Sequence, residues 1–174
     1  KTFPALHRIG APVGNYLLND LAALKRHKLL ILSNTFAPSD AERSALEKLK
    51  SDGRVVLFNY ASGLYKNGQL NLEAMEEFTG IKMKQLDAPV ELTVELGDDK
   101  NVPKQLRGTQ YGSGRNVTPV FVPDDRKAKV LGRLPDGSPG LVMKKFRDWT
   151  AVYSVAPIND RDVLRWLAEQ AGVH

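Results

Sequence analysis

Two short apolar runs, 29–32 and 55–58, stand on either side of a segment with helical periodicity. Continuous apolar runs of this length are typical of strands buried on both faces of a parallel sheet. Between them, Ser39 followed by Glu42 fits the capping box that begins a helix. Because two parallel strands need a crossover of about this length, the block predicts a strand, a helix and a second, adjacent parallel strand.

Four apolar side chains in this block are predicted to be almost fully buried: Leu30, Ile31, Val56 and Leu57. The remaining predicted elements are the end of a helix (3–9), a short strand (13–18), a turn or short helix (19–24), a helix capped by Asn71, strands (81–83 and 90–96), a long loop (97–119), strands (117–122, 129–134, 140–146 and 149–155) and a last helix capped by Asn159 or Asp160. The loop is rich in glycine and polar residues, so it is expected to be functional or mobile.

Length and composition predict one globular domain. The chain has 174 residues, of which 42% are hydrophobic and 26% are charged. It has no cysteine, which excludes disulfides, thiolate catalysis and cysteine metal sites. No apolar run approaches the ~18 residues of a membrane span, and no signal peptide is visible. A membrane partner is therefore not predicted, and the sequence does not indicate the cellular compartment.

The net charge of +5 arises in the second part of the chain, because residues 101–174 hold 12 basic and 7 acidic side chains. A basic surface of this kind can bind nucleic acid or another polyanion. Here the basic residues alternate with apolar ones, as on the solvated faces of strands, and no nucleic-acid motif accompanies them. No nucleic-acid partner is predicted.

A sharp turn follows the second strand of the block, and its residues are Asn59, Tyr60, Ala61, Ser62 and Gly63. In α/β sheets such a turn lies at the carboxyl edge, where ligands usually bind. Ser62 could act as a nucleophile if a base stood near it, but the pattern G-x-S-x-G is not met. The favoured interpretation is a turn residue that bonds the local backbone, with a stand-alone hydrolase that uses Ser62 as an open alternative.

No catalytic base, metal or cofactor is predicted. His7 and His27 lie on an expected helix or loop surface, and His174 is the last residue. No group of His, Asp and Glu has the spacing of metal ligands, and the acidic pairs 98–99 and 124–125 are typical of turns.

The glycine-rich segment between Arg107 and Arg115 is suggestive of a phosphate site. A phosphate cradle, however, follows a strand and opens a helix, which this segment is not predicted to do. Three tyrosines near predicted loops, Tyr60, Tyr65 and Tyr111, could offer faces for stacking on a sugar. A carbohydrate-binding module would then show exposed, coplanar rings, whereas an assembly domain would show an apolar or mixed patch.

Four segments carry a resemblance to a known kind of domain: RIGAPVGNYLLNDL at 8–21, the block at 29–63, LNLEAMEEFTGIKM at 70–83 and the closing run 151–174. In order and spacing they resemble the glutamine-amidotransferase-like accessory domain that follows the catalytic barrel of β-galactosidase-type glycoside hydrolases. The lactose-cleaving branch calls it the trimerisation domain. The resemblance implies a flavodoxin-like, class I amidotransferase-like three-layer α/β sandwich, with a mostly parallel sheet and added C-terminal β-strands.

The resemblance also implies that the amidotransferase nucleophile is missing. The elbow of the active enzymes reads G-x-C-x-G, and placing Gly63 on the second glycine puts Ala61 at the cysteine and Asn59 at the first glycine. A methyl group cannot attack an amide, and the His-Glu pair that would serve the cysteine has no visible counterpart. Glutaminase activity is therefore not expected.

The function expected from the resemblance is that of a non-catalytic accessory or oligomerisation domain of a glycoside hydrolase. Residues 1–174 would form one domain excised from a larger protein and lacking its first strand, since the chain starts at Lys1 inside an expected helix. Its partners would be the parent's catalytic barrel and neighbouring subunits, and a carbohydrate-binding module is the alternative. The candidate ligand or interface residues are Asn34, Tyr60, Tyr65, Arg107, Tyr111 and Arg115.

Overall fold

A computed structural model describes residues 2–173, which form five α-helices and eleven strands. The elements of the first half are α1 (Thr2–Leu6), α2 (Leu21–Leu24), β1 (Leu29–Leu32), α3 (Asp40–Leu49), β2 (Arg54–Asn59), β3 (Tyr65–Lys66), β4 (Gln69–Leu70), α4 (Leu72–Thr79) and β5 (Met83–Leu86). Those of the second half are β6 (Val90–Leu96), a 3₁₀ turn (Lys104–Leu106), β7 (Gln110–Val117), β8 (Val120–Pro123), β9 (Lys129–Arg133), β10 (Pro139–Lys145), β11 (Trp149–Ser154) and α5 (Arg161–Gln170).

Seven strands form one sheet in the order β1-β2-β11-β10-β9-β6-β7. β2 pairs in parallel with β1 on one side and with β11 on the other. Every other pairing in this sheet is antiparallel. Two antiparallel pairs stand apart from it, β3 with β4 and β5 with β8.

The expected flavodoxin-like three-layer sandwich with a mostly parallel sheet is wrong. Only two of the six pairings in the sheet are parallel, and the chain is 32% strand but only 22% helix. The reason lies in the connections of the second half. β9 and β10 are joined by a tight turn in which Gly137 N donates to Leu134 O, and β10 and β11 by one in which Phe146 N donates to Trp149 O. Turns this short join antiparallel strands, whereas a parallel pair needs a long crossover.

The block at 29–63 forms the predicted strand, helix and parallel strand. α3 begins with the expected capping box, because Ser39 Oγ accepts from Glu42 N at 3.3 Å while Glu42 Oε2 accepts from Ser39 N at 2.8 Å. Its inward side chains Ala45, Leu46 and Leu49 are buried. One helix thus makes the crossover between the two parallel strands, as the sequence predicts.

Three of the four core predictions in these strands are confirmed. Leu30, Val56 and Leu57 are buried, but Ile31 is only half-buried. β1 is an edge strand, so one of its faces is less covered than either face of β2. The prediction for Ile31 was wrong because a continuous apolar run does not tell an edge strand from an interior one.

The predicted long loop at 97–119 is also wrong. Residues 110–117 form β7, which pairs with β6 in a register that places Tyr111 opposite Val94. One glycine of this segment is required by the pairing. Gly112 has φ +131°, and a Cβ there would come within 2.1 Å of the Leu92 carbonyl oxygen. The segment at 13–18 differs in the opposite sense, since it was predicted to be a strand and forms none.

The helices lie on both faces of the parallel part of the sheet. Phe58 of β2 packs edge-on against Phe78 of α4, at 5.7 Å between ring centroids. Val55 points to the other face, where it lines a groove with Gln170 of α5. Because β1, β2 and β11 pair in parallel, their carboxyl ends meet at one edge of the sheet. No helix among residues 2–173 is both long and apolar enough to cross a bilayer.

Candidate functional site

The turn that follows β2 is fixed to the two neighbouring strand ends. Tyr60 has φ +46°, and its backbone N donates to the Ser154 carbonyl at the end of β11 at 2.9 Å. Gly63 has φ +80°, and its N donates to the Thr35 carbonyl beyond β1 at 2.7 Å. A Cβ at residue 63 would approach the Phe78 side chain to 2.5 Å, so both the backbone angle and the space require glycine.

Ser62 is fully buried, and its hydroxyl is engaged in the turn. Ser62 Oγ donates to the Asn59 carbonyl at 2.8 Å and accepts from Thr35 Oγ1 at 3.2 Å. Within residues 2–173, neither a histidine nor a carboxylate side chain hydrogen-bonds to this hydroxyl. A serine nucleophile needs a base within hydrogen-bond reach, so what this arrangement can do is hold the turn together.

Ala61, which the resemblance aligns with the amidotransferase cysteine, presents a methyl group that is 4% exposed. His7 is exposed, and His27 packs its ring against Tyr16 at 5.0 Å between centroids. Neither histidine hydrogen-bonds to the turn. His174 lies outside the described residues.

Tyr60 links the turn to the strand pair formed by β5 and β8. Its hydroxyl donates to the Pro119 carbonyl at 2.6 Å, and its ring lies edge-on to Phe36 at 6.1 Å and to Phe121 at 5.9 Å. Burial, with a smaller contribution from Tyr65, raises the pKa of the Tyr60 phenol. The phenol is therefore neutral at physiological pH and serves as a hydrogen-bond donor.

Arg43 of α3 clamps the segment that follows the turn. Its Nη2 donates to the carbonyls of Gly63, at 2.8 Å, and Tyr65, at 3.0 Å, while Nη1 donates to the Ala74 carbonyl at 2.9 Å. The guanidinium also lies over the Phe78 ring, 5.3 Å from its centroid. One side chain thus joins α3, α4 and the β3–β4 hairpin, and it keeps the edge of the site rigid.

Three large apolar side chains are exposed beside this turn, and we call them the rim patch: Phe36, Tyr65 and Leu70. They are 36%, 40% and 57% exposed, respectively. Tyr65 and Leu70 face each other across the β3–β4 hairpin, and Tyr65 N donates to the Phe36 carbonyl at 2.9 Å. The three residues are therefore neighbours along the backbone at this edge of the molecule.

The candidate residues named from sequence do not come together in one place. Asn34 is exposed with φ +59° just beyond β1, near Tyr60 and Tyr65. Arg107 and Arg115 are also exposed, but they precede and occupy β7, at the opposite edge of the sheet. The chain offers two separate surfaces in place of one site.

Tyr111 is buried, so the expectation that it is exposed was wrong. Only 4% of it is accessible, and its hydroxyl lies 2.9 Å from Ser154 Oγ. The signal that misled was the glycine-rich neighbourhood, which suggested a loop. Because Tyr111 is buried, Tyr60, Tyr65 and Tyr111 do not form one exposed platform for a sugar.

Comparisons with known proteins show similarity to solved structures but not to known sequences. No protein-family model and no curated protein sequence matches the chain. Among solved structures, it is similar to the β-galactosidase from Bacillus circulans sp. alkalophilus, with a TM-score of 0.61 and 20% identity over 85% of this chain and 23% of that one. It is similar to the cold-adapted β-galactosidase from Rahnella sp. R3, with a TM-score of 0.63 and 14% identity over 86% of this chain and 23% of that one.

The chain has the fold of one part of these β-galactosidases. It spans less than a quarter of their length. The resemblance to an accessory domain of β-galactosidase-like enzymes is thereby confirmed at the level of fold. A ThuA-like protein from Bacteroides uniformis is also similar, with a TM-score of 0.55 and 15% identity over 91% of this chain and 74% of that one.

A groove of about 590 Å³ lies away from the turn, at the amino ends of β2 and β11. Phe146 and Trp149 line it and stack on each other at 4.6 Å and 2°. The ammonium groups of Lys144 and Lys50 lie over these two rings, at 5.0 and 5.1 Å from the centroids. The rings are thus engaged with each other and with the lysines.

Sequence reasoning missed Arg43 and the rim-patch members Phe36 and Leu70. For Arg43, the only available signal was that a cationic side chain stands between the apolar positions Ala41 and Ala45 of the predicted helix. For Leu70, the signal was the Asn67-Gly68 pair, which is typical of a two-residue hairpin turn and has the expected positive φ angles of 54° and 74°.

Proposed function

We propose that this chain is a non-catalytic accessory domain of a larger glycoside hydrolase of the β-galactosidase type. The observation that carries the proposal is the asymmetry of the structural matches. About 85% of this chain corresponds to about 23% of the Bacillus circulans and Rahnella enzymes. A segment of that size accompanies the remainder of a much longer chain in those proteins.

The turn after β2 supports the non-catalytic part of the proposal. The ThuA-like protein is mostly made of this fold, so the fold alone is compatible with a stand-alone protein. A hydrolase that works by covalent catalysis at this turn would need a free nucleophile there. Ala61 supplies a methyl group, and the Ser62 hydroxyl is buried and bonded to Asn59 and Thr35. These features favour the accessory domain over the hydrolase.

The role we propose is assembly, through the rim patch. Interface centres are enriched in aromatic side chains. Tyr65 and Leu70 lie exposed on a hairpin that Arg43 holds in place, and Phe36 lies exposed next to it. A rigid surface loses little conformational entropy on binding. We expect the rim patch to contact the catalytic part of the parent protein.

The experiment is the double substitution of Tyr65→Ser and Leu70→Ser in the full-length protein. It should weaken assembly in analytical ultracentrifugation or lower the turnover of p-nitrophenyl β-galactoside. The unfolding midpoint of the isolated chain should barely change, because both side chains are exposed. Gln69→Ser, on the same hairpin, is the matched control and should have no effect.

Two results would count against the proposal. A double variant that sediments and turns over substrate like the unmodified protein would exclude the rim patch as the contact. A full-length protein that hydrolyses no glycoside at all would overturn the glycoside hydrolase assignment itself.

A further inference from the structure

The tip of the β3–β4 hairpin carries the one Asn-Gly pair of the sequence, Asn67-Gly68. The two residues have φ angles of +54° and +74°, and both are exposed. Positive φ at both central positions is typical of a type I′ turn, which favours this pair. The pair therefore has a structural role, but it also places two groups that can react with each other side by side.

Neither of these two groups is held by a hydrogen bond. Among residues 2–173, the backbone amide of Gly68 and the side-chain amide of Asn67 have no hydrogen-bond partner. A Cβ at residue 68 would meet nothing within 4 Å, so the space around this residue is open. Because glycine has no side chain, nothing shields its backbone nitrogen from solvent or from the neighbouring side chain.

The tip of the hairpin can open while its base stays fixed. Each strand has only two residues, and a two-stranded hairpin is marginally stable by itself. At the base, Tyr65 N donates to the Phe36 carbonyl and Asn71 N donates to the Leu64 carbonyl, both at 2.9 Å. Opening of residues 66–69 alone therefore costs much less free energy than unfolding of the domain.

We propose that Asn67 is a site of spontaneous modification, at which the chain cyclises and then takes up water to give isoaspartate and aspartate. When the tip opens, Gly68 N loses its proton to a solvent base and attacks Asn67 Cγ. The new bond closes a succinimide ring, and the side-chain nitrogen takes up a proton and leaves as ammonia. Water then adds to one of the two ring carbonyls and cleaves its bond to the ring nitrogen. The net reaction consumes one water and releases one ammonia, with no oxidation or reduction.

The two products differ in their effect on the hairpin. Cleavage at the side-chain carbonyl gives aspartate and leaves the backbone length unchanged. Cleavage at the backbone carbonyl gives isoaspartate, in which the chain runs through Cβ and Cγ and is one methylene longer. Because the length of the turn fixes the register of a hairpin, isoaspartate should undo the pairing of Tyr65 with Leu70. The chemistry does not rest on the proposed function, whereas an effect on assembly through the rim patch does.

The test is incubation of the 174-residue chain at mildly alkaline pH, followed by tandem mass spectrometry of its peptides. Asn67 should convert at least about tenfold faster than Asn34 and Asn71, with isoaspartate detected by protein isoaspartyl methyltransferase. Asn34 is exposed with φ +59° but precedes Thr35, so it controls for exposure and backbone angle. Asn71 controls for position, because it follows the hairpin directly and its side chain accepts from Ala74 N at 2.9 Å.

The effect on the hairpin is measured by NMR, through the contact between Tyr65 and Leu70. This contact should be lost in the isoaspartate fraction. Asn67→Gly is the matched control, because Gly-Gly also suits a type I′ turn but has no side-chain amide to react. Its contact between Tyr65 and Leu70 should persist throughout the incubation.

Three outcomes would overturn the proposal. Conversion of Asn67 no faster than that of Asn34 would show that the Asn-Gly pair is protected by the fold. An isoaspartate fraction that keeps Tyr65 opposite Leu70, or an Asn67→Gly variant that loses this contact, would separate the hairpin from the modification. None of these measurements involves glycoside hydrolysis or assembly, so failure of this proposal is distinguishable from failure of the proposed function.

Discussion

The Tyr111 hydroxyl lies 2.9 Å from Ser154 Oγ in the core, and this contact joins β7 to the end of β11. Ser154 Oγ donates its proton to the Ala156 carbonyl at 2.6 Å. Tyr111 must therefore be the donor to Ser154. Burial raises the pKa of the Tyr111 phenol, with the hydrogen bond to Ser154 acting weakly in the opposite sense, so the phenol keeps its proton at physiological pH.

Tyr111→Phe should lower the free energy of unfolding by roughly 0.5–1.5 kcal/mol, the net value of one hydrogen bond. Tyr111→Ala should cost about 3–5 kcal/mol, because it also leaves a cavity of aromatic size. Urea unfolding measures both. If Tyr111→Ala costs less than about 1 kcal/mol, Tyr111 does not lie in the core.

Leu57→Ala should lower the free energy of unfolding by roughly 2–5 kcal/mol, because Leu57 is fully buried in β2 between two paired strands. Ile31→Ala, in edge strand β1, should cost about 1 kcal/mol, since its side chain is already half solvated. The comparison of the two urea midpoints tests the strand order. Equal losses would contradict an edge position for β1.

The sequence predicted the fold well where local signals and tertiary position agree. The capping box at Ser39 and Glu42 placed α3, and the apolar runs placed β1 and β2 in the observed parallel pairing. Alternation placed β6, and the turn at 134–137 placed the β9–β10 hairpin. These signals act over a few residues, so they can be recognised in the sequence without knowledge of the rest of the fold.

The sequence could not reveal features that depend on distant partners. Gly112 looked like a loop residue because its need for glycine comes from the Leu92 carbonyl on another strand. Tyr111 looked exposed because its partner, Ser154, is 43 residues away. In the candidate site, the turn after β2 was located correctly, whereas Arg43 was missed because its acceptors are carbonyl groups, which every sequence has.

Gly112→Ala should be strongly destabilising. A Cβ there would lie 2.1 Å from the Leu92 carbonyl oxygen, at a φ of +131° that L residues avoid, so β7 would have to move. Overpacking and backbone strain together should cost roughly 3 kcal/mol or more. The Asn159 side chain, which bonds both N and O of Gly112, would also lose its partners.

Gly114→Ala is the matched control. It lies on the same strand with φ +64°, and a Cβ there meets nothing within 4 Å. Its cost should be only the ~1–2 kcal/mol of a left-handed alanine. Thermal unfolding of the two variants decides the matter, and similar losses would mean that the close approach of β6 to β7 is not as described.

Stability should fall in acid partly through Asp125. Burial alone would raise the pKa of the Asp125 carboxyl, but hydrogen bonds from Lys144 and from the Lys127 and Lys82 amides outweigh it and hold the pKa below its ordinary value. Lys144 Nζ lies 2.7 Å from Asp125 Oδ2 and 2.6 Å from the Gly80 carbonyl. Lys144 thus ties β10 to the end of α4 and to the segment that follows β8.

The sign of the pH effect follows from the lowered pKa. The folded protein binds the Asp125 proton less readily than the unfolded chain, so this stabilisation is fully present above the unfolded value of ~3.9 and is lost as the pH falls through the folded value. Asp125→Asn should cost roughly 3 kcal/mol at pH 7 and flatten the stability profile below about pH 4. Glu77→Gln, which removes the exposed Lys66–Glu77 pair, should change little. A profile for Asp125→Asn parallel to that of the unmodified chain would contradict this assignment.

The turn after β2 should be catalytically silent even when a nucleophile is restored. Ala61→Cys places a thiol where the resemblance aligns the amidotransferase nucleophile, but a thiol needs a base within hydrogen-bond reach to be activated in this way. Neither His7 nor His27 bonds to the turn, and the Ser62 hydroxyl is occupied by Asn59 and Thr35. We therefore expect no ammonia release from glutamine above the buffer rate, for either the unmodified chain or the variant.

Ser62→Ala should lower the free energy of unfolding by about 1 kcal/mol, through the lost hydrogen bond to Asn59, and change no activity. Glutamine hydrolysis that the unmodified chain supports and Ser62→Ala abolishes would show that the turn is an active site after all.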